Sequence, residues 1–567
     1  MPGASLPRPS LRRGFALLAL AIAGVAGIVG PGIAPAGAHA DVVQTSPAAG
    51  AVLTRAPHSV RIWFTEQVDV RLGGMSLYDG AGRRVPTGRL RQPTPERLVL
   101  PVRPTPSDGT YIVTWSAVSE DTHSIRGTWT FRVGDTAAPD SGATDVARRL
   151  LAERRPDRSV ALAWGVVRWV GFAALAVGVG GAWFVAVTWP GARDRRRARR
   201  IVRGGLWTLL GATVVGVAVF GAYSRGGGPA DLVSPHVWGV TAGTRFGVVW
   251  LVRAALLVVA LVGTRSLFAR GPASGRALPR WWAPVAAIVG TALVTIPALT
   301  GHAVTGGDVV AAVALDVVHV AAMAVWLGGL VLVWAVALAE DGDASEAGGV
   351  VARFSRTAWW CVAALVASGA LASWRLVGSV GALRTTEFGH VLIVKVAVVA
   401  LVLAAAVGSR DRLRRGADRA ALRRAVVVEL ILAAVVLGVT ARLVEVAPPA
   451  TVVGSRAGAA ETVLTDRRVR VDVSVVPGRA GIDDVHVYTS RAGSALAVPA
   501  VELTLTPPTG AGSPVAVPLR TLAPGHAFSP GVDLPSAGRW RVTATVVTGP
   551  SDRPERVVLH GSVDLAP

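Results

Sequence analysis

The sequence predicts a multidomain membrane protein: an all-β domain of sandwich or barrel type, an α-helical polytopic bundle of about eight spans, and a C-terminal all-β domain of Ig-like type. Three observations predict it. Apolar residues crowd into residues 160–443, in runs of the roughly 20 residues that cross a bilayer as a helix. On either side the chain is more polar and alternates with period two, the pattern of half-buried strands. A length of 567 residues and a mean hydropathy of +0.49 are too long and too apolar for one soluble core.

The N-terminus reads as a secretory leader over residues 1–38. Basic Arg8, Arg12 and Arg13 precede an apolar run from Phe15 to Ala23, and Ala36-Gly37-Ala38 is the small-residue triplet before a cut. The mature chain is then expected to begin at His39. A terminal histidine offers its α-amine and its imidazole to one metal ion in a small chelate ring.

Residues 39–135 form the expected first β domain. Val60, Ile62 and Phe64 share one face of a strand, as do Tyr111, Val113 and Trp115, and Trp129, Phe131 and Val133. Gly80, Gly82 and Pro86 mark turns between short strands. Asp121 and His123, two apart, point the same way if the segment is extended. With His39 they make a nitrogen-rich set with one carboxylate, which suits Cu(II). His58, after Pro57, reads as an exposed turn residue.

A linker is expected at 136–158 and the membrane domain at 159–445. Its spans are predicted near 160–189, 204–223, 246–264, 282–300, 309–338, 357–377, 391–408 and 425–443. Arginines fill alternate connectors: 195–200, 265–280 and 410–424. That is the positive-inside pattern, so these connectors are expected in the cytoplasm and both β domains outside it, on a bacterial plasma membrane. The connector 340–343 is acidic and fits less well, although Arg353 and Arg356 flank it. The same pattern explains the net charge of +22 without nucleic acid as a partner; the partners expected are copper ions and the lipid bilayer. Cys361 is the single cysteine and lies in an apolar run, so no disulfide framework or thiolate metal site is available. Three methionines, Met1, Met75 and Met323, are too few for a methionine-rich Cu(I) site.

The spans hold ionisable residues, which are costly in a bilayer and mark pathways or paired interiors. Asp316 and His319 are three apart on one helix face, with His319 roughly 15 Å along the fifth span. Trp326-Leu-Gly328-Gly329 follows, glycines that permit close helix packing. His302 sits at the outer mouth of the fourth span and His390 opens the seventh. Lys395, the only lysine in the chain, lies just inside that span, and Glu429 lies in the eighth. Arg168 and Arg253 are read as interfacial or paired. In the last domain, 451–567, Val469, Val471, Val473 and Val475 alternate, as do Val501, Leu503 and Leu505, and Trp540, Val542 and Ala544. His486, His526 and His560 show no ligand spacing.

Three resemblances follow from these residues. His39, the run Phe64-Thr65-Glu66-Gln67-Val68, Gly109-Thr110-Tyr111 through Trp115 and Val118-Ser119 to Asp121-Thr122-His123, and the closing segment from Gly127 to Val133 resemble the CopC copper-binding family. The resemblance implies a Cu(II) site formed by His39, Asp121 and His123, with Glu66 supporting it from beside. Arg168-Trp169, Gly301-His302-Ala303, Asp316 to His319 through Gly329, Arg353-Phe354-Ser355 and Gly389 to Lys395 resemble the CopD membrane domain. That implies a copper route through the bundle marked by His302, Asp316, His319 and His390, with Cu(I) the form open to the membrane part. Ser536-Ala-Gly538-Arg539-Trp540 is similar to YtkA-like or FixH-like modules.

The expectation is a binding and transport protein rather than an enzyme. The outer domain captures Cu(II) and passes it inward for import and homeostasis. Two other readings stay open: extracytoplasmic sequestration for copper resistance without transport, and a haem-binding bundle in which His302 and His390 share an outer depth. An oxidative copper enzyme is disfavoured by the charged Asp121 beside the metal. The sequence names no reductase or copper chaperone that would act with the chain.

Overall fold

The computed structural model describes residues 40–565 except 41, 48–50, 65, 104–106, 135–140, 276, 305–308, 340–343, 378–382, 385, 416–417, 447–459, 467–468, 477, 479, 492–493, 496–499, 509–512, 524–525 and 549–554. His39 and the expected leader lie outside the described residues.

The first domain is a two-sheet sandwich. Its strands are β1 (Val42–Ser46), β2 (Val52–Leu53), β3 (Ser59–Phe64), β4 (Asp69–Asp79), β5 (Arg91–Thr94), β6 (Arg97–Pro101), β7 (Gly109–Val118) and β8 (Ser124–Val133). One sheet runs β1-β3-β6-β5 and the other β2-β8-β7-β4. The alternation in the sequence is the inward row: Val60, Ile62, Phe64, Tyr111, Val113, Trp115, Trp129, Phe131 and Val133 are all buried in one core. Phe64 meets Trp115 edge-on across the sheets at 5.1 Å.

Within the segment expected as a linker, α1 (Ser141–Glu153) is a helix. Ala143, Ala147 and Leu150 return every turn and bury against Ile112 and Tyr78. A short apolar stripe with a sheet face to cover is enough to order it.

The membrane domain contains α2 (Arg158–Leu175), α3 (Arg196–Ser224), short α4 (Pro235–Gly243), α5 (Arg245–Ala269), α6 (Trp282–Leu299), α7 (Val309–Leu332), α8 (Ala344–Val377), α9 (Glu387–Arg414) and α10 (Arg419–Leu443). The first span continues from α2 to Thr188, and the fifth from α7 to Ala337. Eight helices are long and apolar enough to cross a membrane, by length and composition. Two begin well before their expected starts: α3 at Arg196 rather than 204, and α8 at Ala344 rather than 357. Arginine is a good helix former, so most of the basic run 195–200 forms the first turns of α3 instead of a loop.

The first and fifth spans each end in π-helical turns. There Trp189 donates to the Phe184 carbonyl and Leu338 to that of Val333, each five residues back. The two spans touch backbone to backbone. A Cβ on Gly180 would lie 1.8 Å from the Ala324 carbonyl oxygen, and one on Gly328 would lie 2.2 Å from that of Ala176. The glycines of Trp326-Leu-Gly328-Gly329 are there because nothing larger fits.

The C-terminal domain is all-β. Its strands are β9 (Ala460–Thr465), β10 (Arg470–Val476), β11 (Gly481–Arg491), β12 (Ser494–Ala495), β13 (Ala500–Thr506), β14 (Val515–Val517), β15 (Arg520–Ala523), β16 (His526–Leu534), β17 (Gly538–Thr548) and β18 (Glu555–Leu565). One sheet runs β15-β16-β11-β10-β9 with β12 beside β11, the other β14-β13-β17-β18. Val471, Val473, Val475, Leu505, Trp540, Val542 and Ala544 fill the core between them. Trp540 donates through Nε1 to the Ser536 carbonyl at 2.9 Å, which closes the turn before β17.

Candidate metal centre

Asp121 and His123 lie in the loop joining β7 to β8, not in an extended strand. Val118 pairs with Ser124, so five residues turn the chain. Ser119 N donates to the His123 carbonyl at 2.9 Å, and Thr122 N to that of Ser119 at 3.0 Å. Thr122 takes a left-handed φ of 68°, which is strained for a β-branched residue. The expectation that strand alternation aligns the two side chains is therefore corrected. A tight turn aligns them, through its left-handed residue.

The turn puts His123 Nδ1 2.9 Å from Asp121 Oδ2. An imidazole nitrogen and a carboxylate oxygen this close can both face one cation once the ring is neutral, and that donor pair suits Cu(II). The Asp121 side chain is wholly buried. Its Oδ1 accepts from the Ser119 hydroxyl and, at 3.2 Å, from His123 N. Glu66 is buried too, and its Oε1 accepts from Glu120 N at 3.2 Å. Glu66 therefore braces the loop from the connector between β3 and β4. Burial by itself pulls the His123 imidazolium down; the Asp121 carboxylate and the Val444 carbonyl outweigh it and hold the ring's pKa above its ordinary range.

The same loop is docked on the helical bundle. His123 Nε2 bonds the Val444 carbonyl at 2.7 Å, just past the end of α10. The Thr122 hydroxyl donates to the Thr300 carbonyl at 3.1 Å, past the end of α6. The Ser124 hydroxyl donates to the Ser224 carbonyl at 3.0 Å, at the end of α3. Arg245, the first residue of α5, reaches the Glu120 carbonyl at 2.8 Å and its carboxylate at 3.0 Å. Under these polar contacts Leu72 and Val118 of the sandwich bury against Trp164, Val219, Phe220, Phe246 and Trp250. Thr300 directly precedes Gly301 and His302 in the chain.

Within the bundle, His319 Nδ1 bonds the Ser368 hydroxyl of α8 at 3.0 Å. Asp316 and Lys395 act on each other electrostatically, and Arg375 acts on Asp316 as well. His390 is exposed, and its Nε2 bonds the Arg384 carbonyl at 2.8 Å, an anchor at the start of α9. The backbone of His302 lies in a short 3-10 turn; its side chain is outside the described residues. Arg168 pairs with Glu445 at 3.3 Å and reaches the Ala441 carbonyl at 2.7 Å. Arg253 is buried, with its guanidinium over the Trp250 ring at 5.2 Å. Glu429 is buried beside Ser409. His58 is exposed as expected, and His486 is buried against Phe528.

The structure thus brings Asp121, His123 and Glu66 together. Among the described residues no group of three or more His, Cys, Asp or Glu side chains forms a metal set, and His39 falls outside that range. Sequence reasoning missed Ser119, Val444, Thr300 and Ser368. The first three contribute through a hydroxyl or a backbone carbonyl in a turn, and such groups leave no residue-type signature. Ser368 had a signal: a hydroxyl inside an apolar span.

Three family models match the chain: the CopC domain over residues 42–134, the copper resistance protein D-like N-terminal domain over 159–311, and copper resistance protein D over 348–443. Copper transport protein CutJ of Bacillus subtilis is 26% identical over 366 residues, 63% of this chain and 65% of that protein, just under two thirds of its length. Inner membrane protein YebZ of Escherichia coli is 28% identical over 273 residues, 46% of this chain and 89% of that protein. Copper resistance protein C of Escherichia coli is 32% identical over 105 residues, 17% of this chain and 82% of that protein. A CopC sandwich followed by CopD-type helices places this chain in the CopC/CopD copper-resistance family, as a multi-pass membrane protein.

Proposed function

We propose that the protein captures Cu(II) outside the cytoplasm and passes copper to the bundle for import, acting as a carrier rather than an enzyme. The observation that carries this reading is the docking of the Asp121–His123 loop on the bundle. Both ligand candidates lie within one turn of a residue bonded to a helix end, and the Thr122 contact is with the residue two before His302. A site meant only to sequester copper gains nothing from sitting there. Tethering keeps the bound ion at high local concentration beside the bundle entrance.

Docking also supports the assignment of sides. The sandwich touches the ends of α3, α6 and α10 and the start of α5. These are the ends opposite the arginine-rich segments 195–200, 265–280 and 410–424, which fits both β domains lying outside the cytoplasm. The donor set supports Cu(II) at the outer site, where His39 is expected to add its amine and ring. In the bundle the route runs by way of His302, Asp316 and His319, with His390 at its rim; passage there as Cu(I) takes one electron per ion from a separate one-electron donor such as a thiol.

Copper content of cells with and without the protein tests the reading. Import predicts higher content with it, and lower content again in the Asp121→Ala and His123→Ala variants. Equal content in all strains would leave sequestration as the function.

A further inference from the structure

We propose that Ser368 is the positioning residue that fixes the His319 ring with its proton on Nδ1, leaving Nε2 as the atom that takes a soft monovalent cation. The inference rests on the reading of His319 as part of the copper route.

The argument is a count of protons. A serine hydroxyl has one to give. Ser368 Oγ lies 2.5 Å from the Ala364 carbonyl, four residues back on α8, and 3.4 Å from that of Leu365. Carbonyls only accept, so the hydroxyl proton is committed to its own helix. The 3.0 Å contact with His319 Nδ1 must then be made by the ring, with Nδ1–H donating to Ser368 Oγ. A neutral imidazole with its proton on one nitrogen carries a lone pair on the other.

The ring is held in place as well as in tautomer. Ser368 is buried, and a Cβ on the adjacent Gly369 would lie 3.4 Å from His319 Cε1, so α8 packs against the ring without crowding it. Outer partners of this kind orient metal-binding histidines and raise their basicity; removing one costs about 10–100-fold in affinity. A neutral imidazole nitrogen in an apolar span suits Cu(I), whose single charge is cheaper to desolvate than two.

The test uses the full chain in lipid, labelled with ¹⁵N-histidine, and the difference spectrum against His319→Gln assigns the ring. The expected spectrum has a protonated Nδ1 and an unprotonated Nε2. A proton on Nε2 in the unaltered chain overturns the proposal, whatever the variants do. Ag(I) is the binding probe, measured in a chain carrying His123→Ala so that the outer site is silent. Ser368→Ala is expected to weaken Ag(I) binding about tenfold and scramble the tautomer, and Ser368→Thr to restore both. If Ser368→Ala binds Ag(I) as before while His319→Gln does not bind it, Ser368 has no positioning role and the copper reading stands. If His319→Gln also binds as before, the reading of His319 as a ligand fails.

Discussion

Two histidines, His123 in the outer loop and His319 in the fifth span, show how differently one side chain can be surrounded in the same chain. His123 faces a wholly buried carboxylate at 2.9 Å, and its other nitrogen is bonded to a backbone carbonyl. His319 has a neutral hydroxyl on one nitrogen, and the nearest carboxylate along its helix, Asp316, shares its field with Lys395. The outer ring has a full negative charge against it, and the inner ring has a neutral partner. Desolvation grows steeply with charge, so under the proposed function the first place is the better match for a doubly charged ion and the second for a singly charged one.

Substitutions can break this contrast. Asp121→Ala removes the proposed ligand and the loop's hydrogen-bond acceptor together; Cu(II) affinity is expected to fall by about 100-fold or more in a competition titration, beyond the effect of losing a mere supporting group. His319→Gln is the crosswise control and should leave that titration unchanged. Gly328→Val tests the frame that holds the fifth span, because the new side chain must displace the Ala176 carbonyl. It is expected to destabilise the bundle by about 3 kcal/mol, read as earlier thermal unfolding in detergent. Glu66→Ala frees the Glu120 amide and loosens the loop, and a loss of about tenfold in Cu(II) affinity is expected, with the helical bundle unaffected. The smallest effect belongs to Arg245→Gln. Its ion pair with Glu120 is partly exposed and contributes about 0.2–1 kcal/mol, so docking should weaken only slightly in high salt or in the variant.

Much of this arrangement was legible in the residues. Alternation placed Val60, Ile62 and Phe64 in one core and Val471, Val473 and Val475 in another, because a strand with one wet face must alternate. Apolar length placed the eight long helices. The ends were harder: hydropathy cannot tell a basic loop from a helix that continues past the bilayer, as α3 does through Arg196 to Arg200. In the site, Asp121 and His123 stood out by type and spacing, but the reason given for their alignment was wrong. A left-handed Thr122 is not readable from composition, since threonine is a poor residue for that conformation, and here its hydroxyl is bonded to Thr300 178 positions away. Contacts through carbonyls such as Val444 are invisible in any sequence pattern, and docking of the two domains depends on them.

The link between outer capture and inner passage is tested most directly by cellular copper content in a strain carrying His319→Gln, with Cu(II) binding by the purified variant confirmed intact. The account predicts content no higher than in cells without the protein. Content equal to that of cells with the unaltered chain would contradict it, since copper would then be reaching the cytoplasm without the histidine on which the route depends.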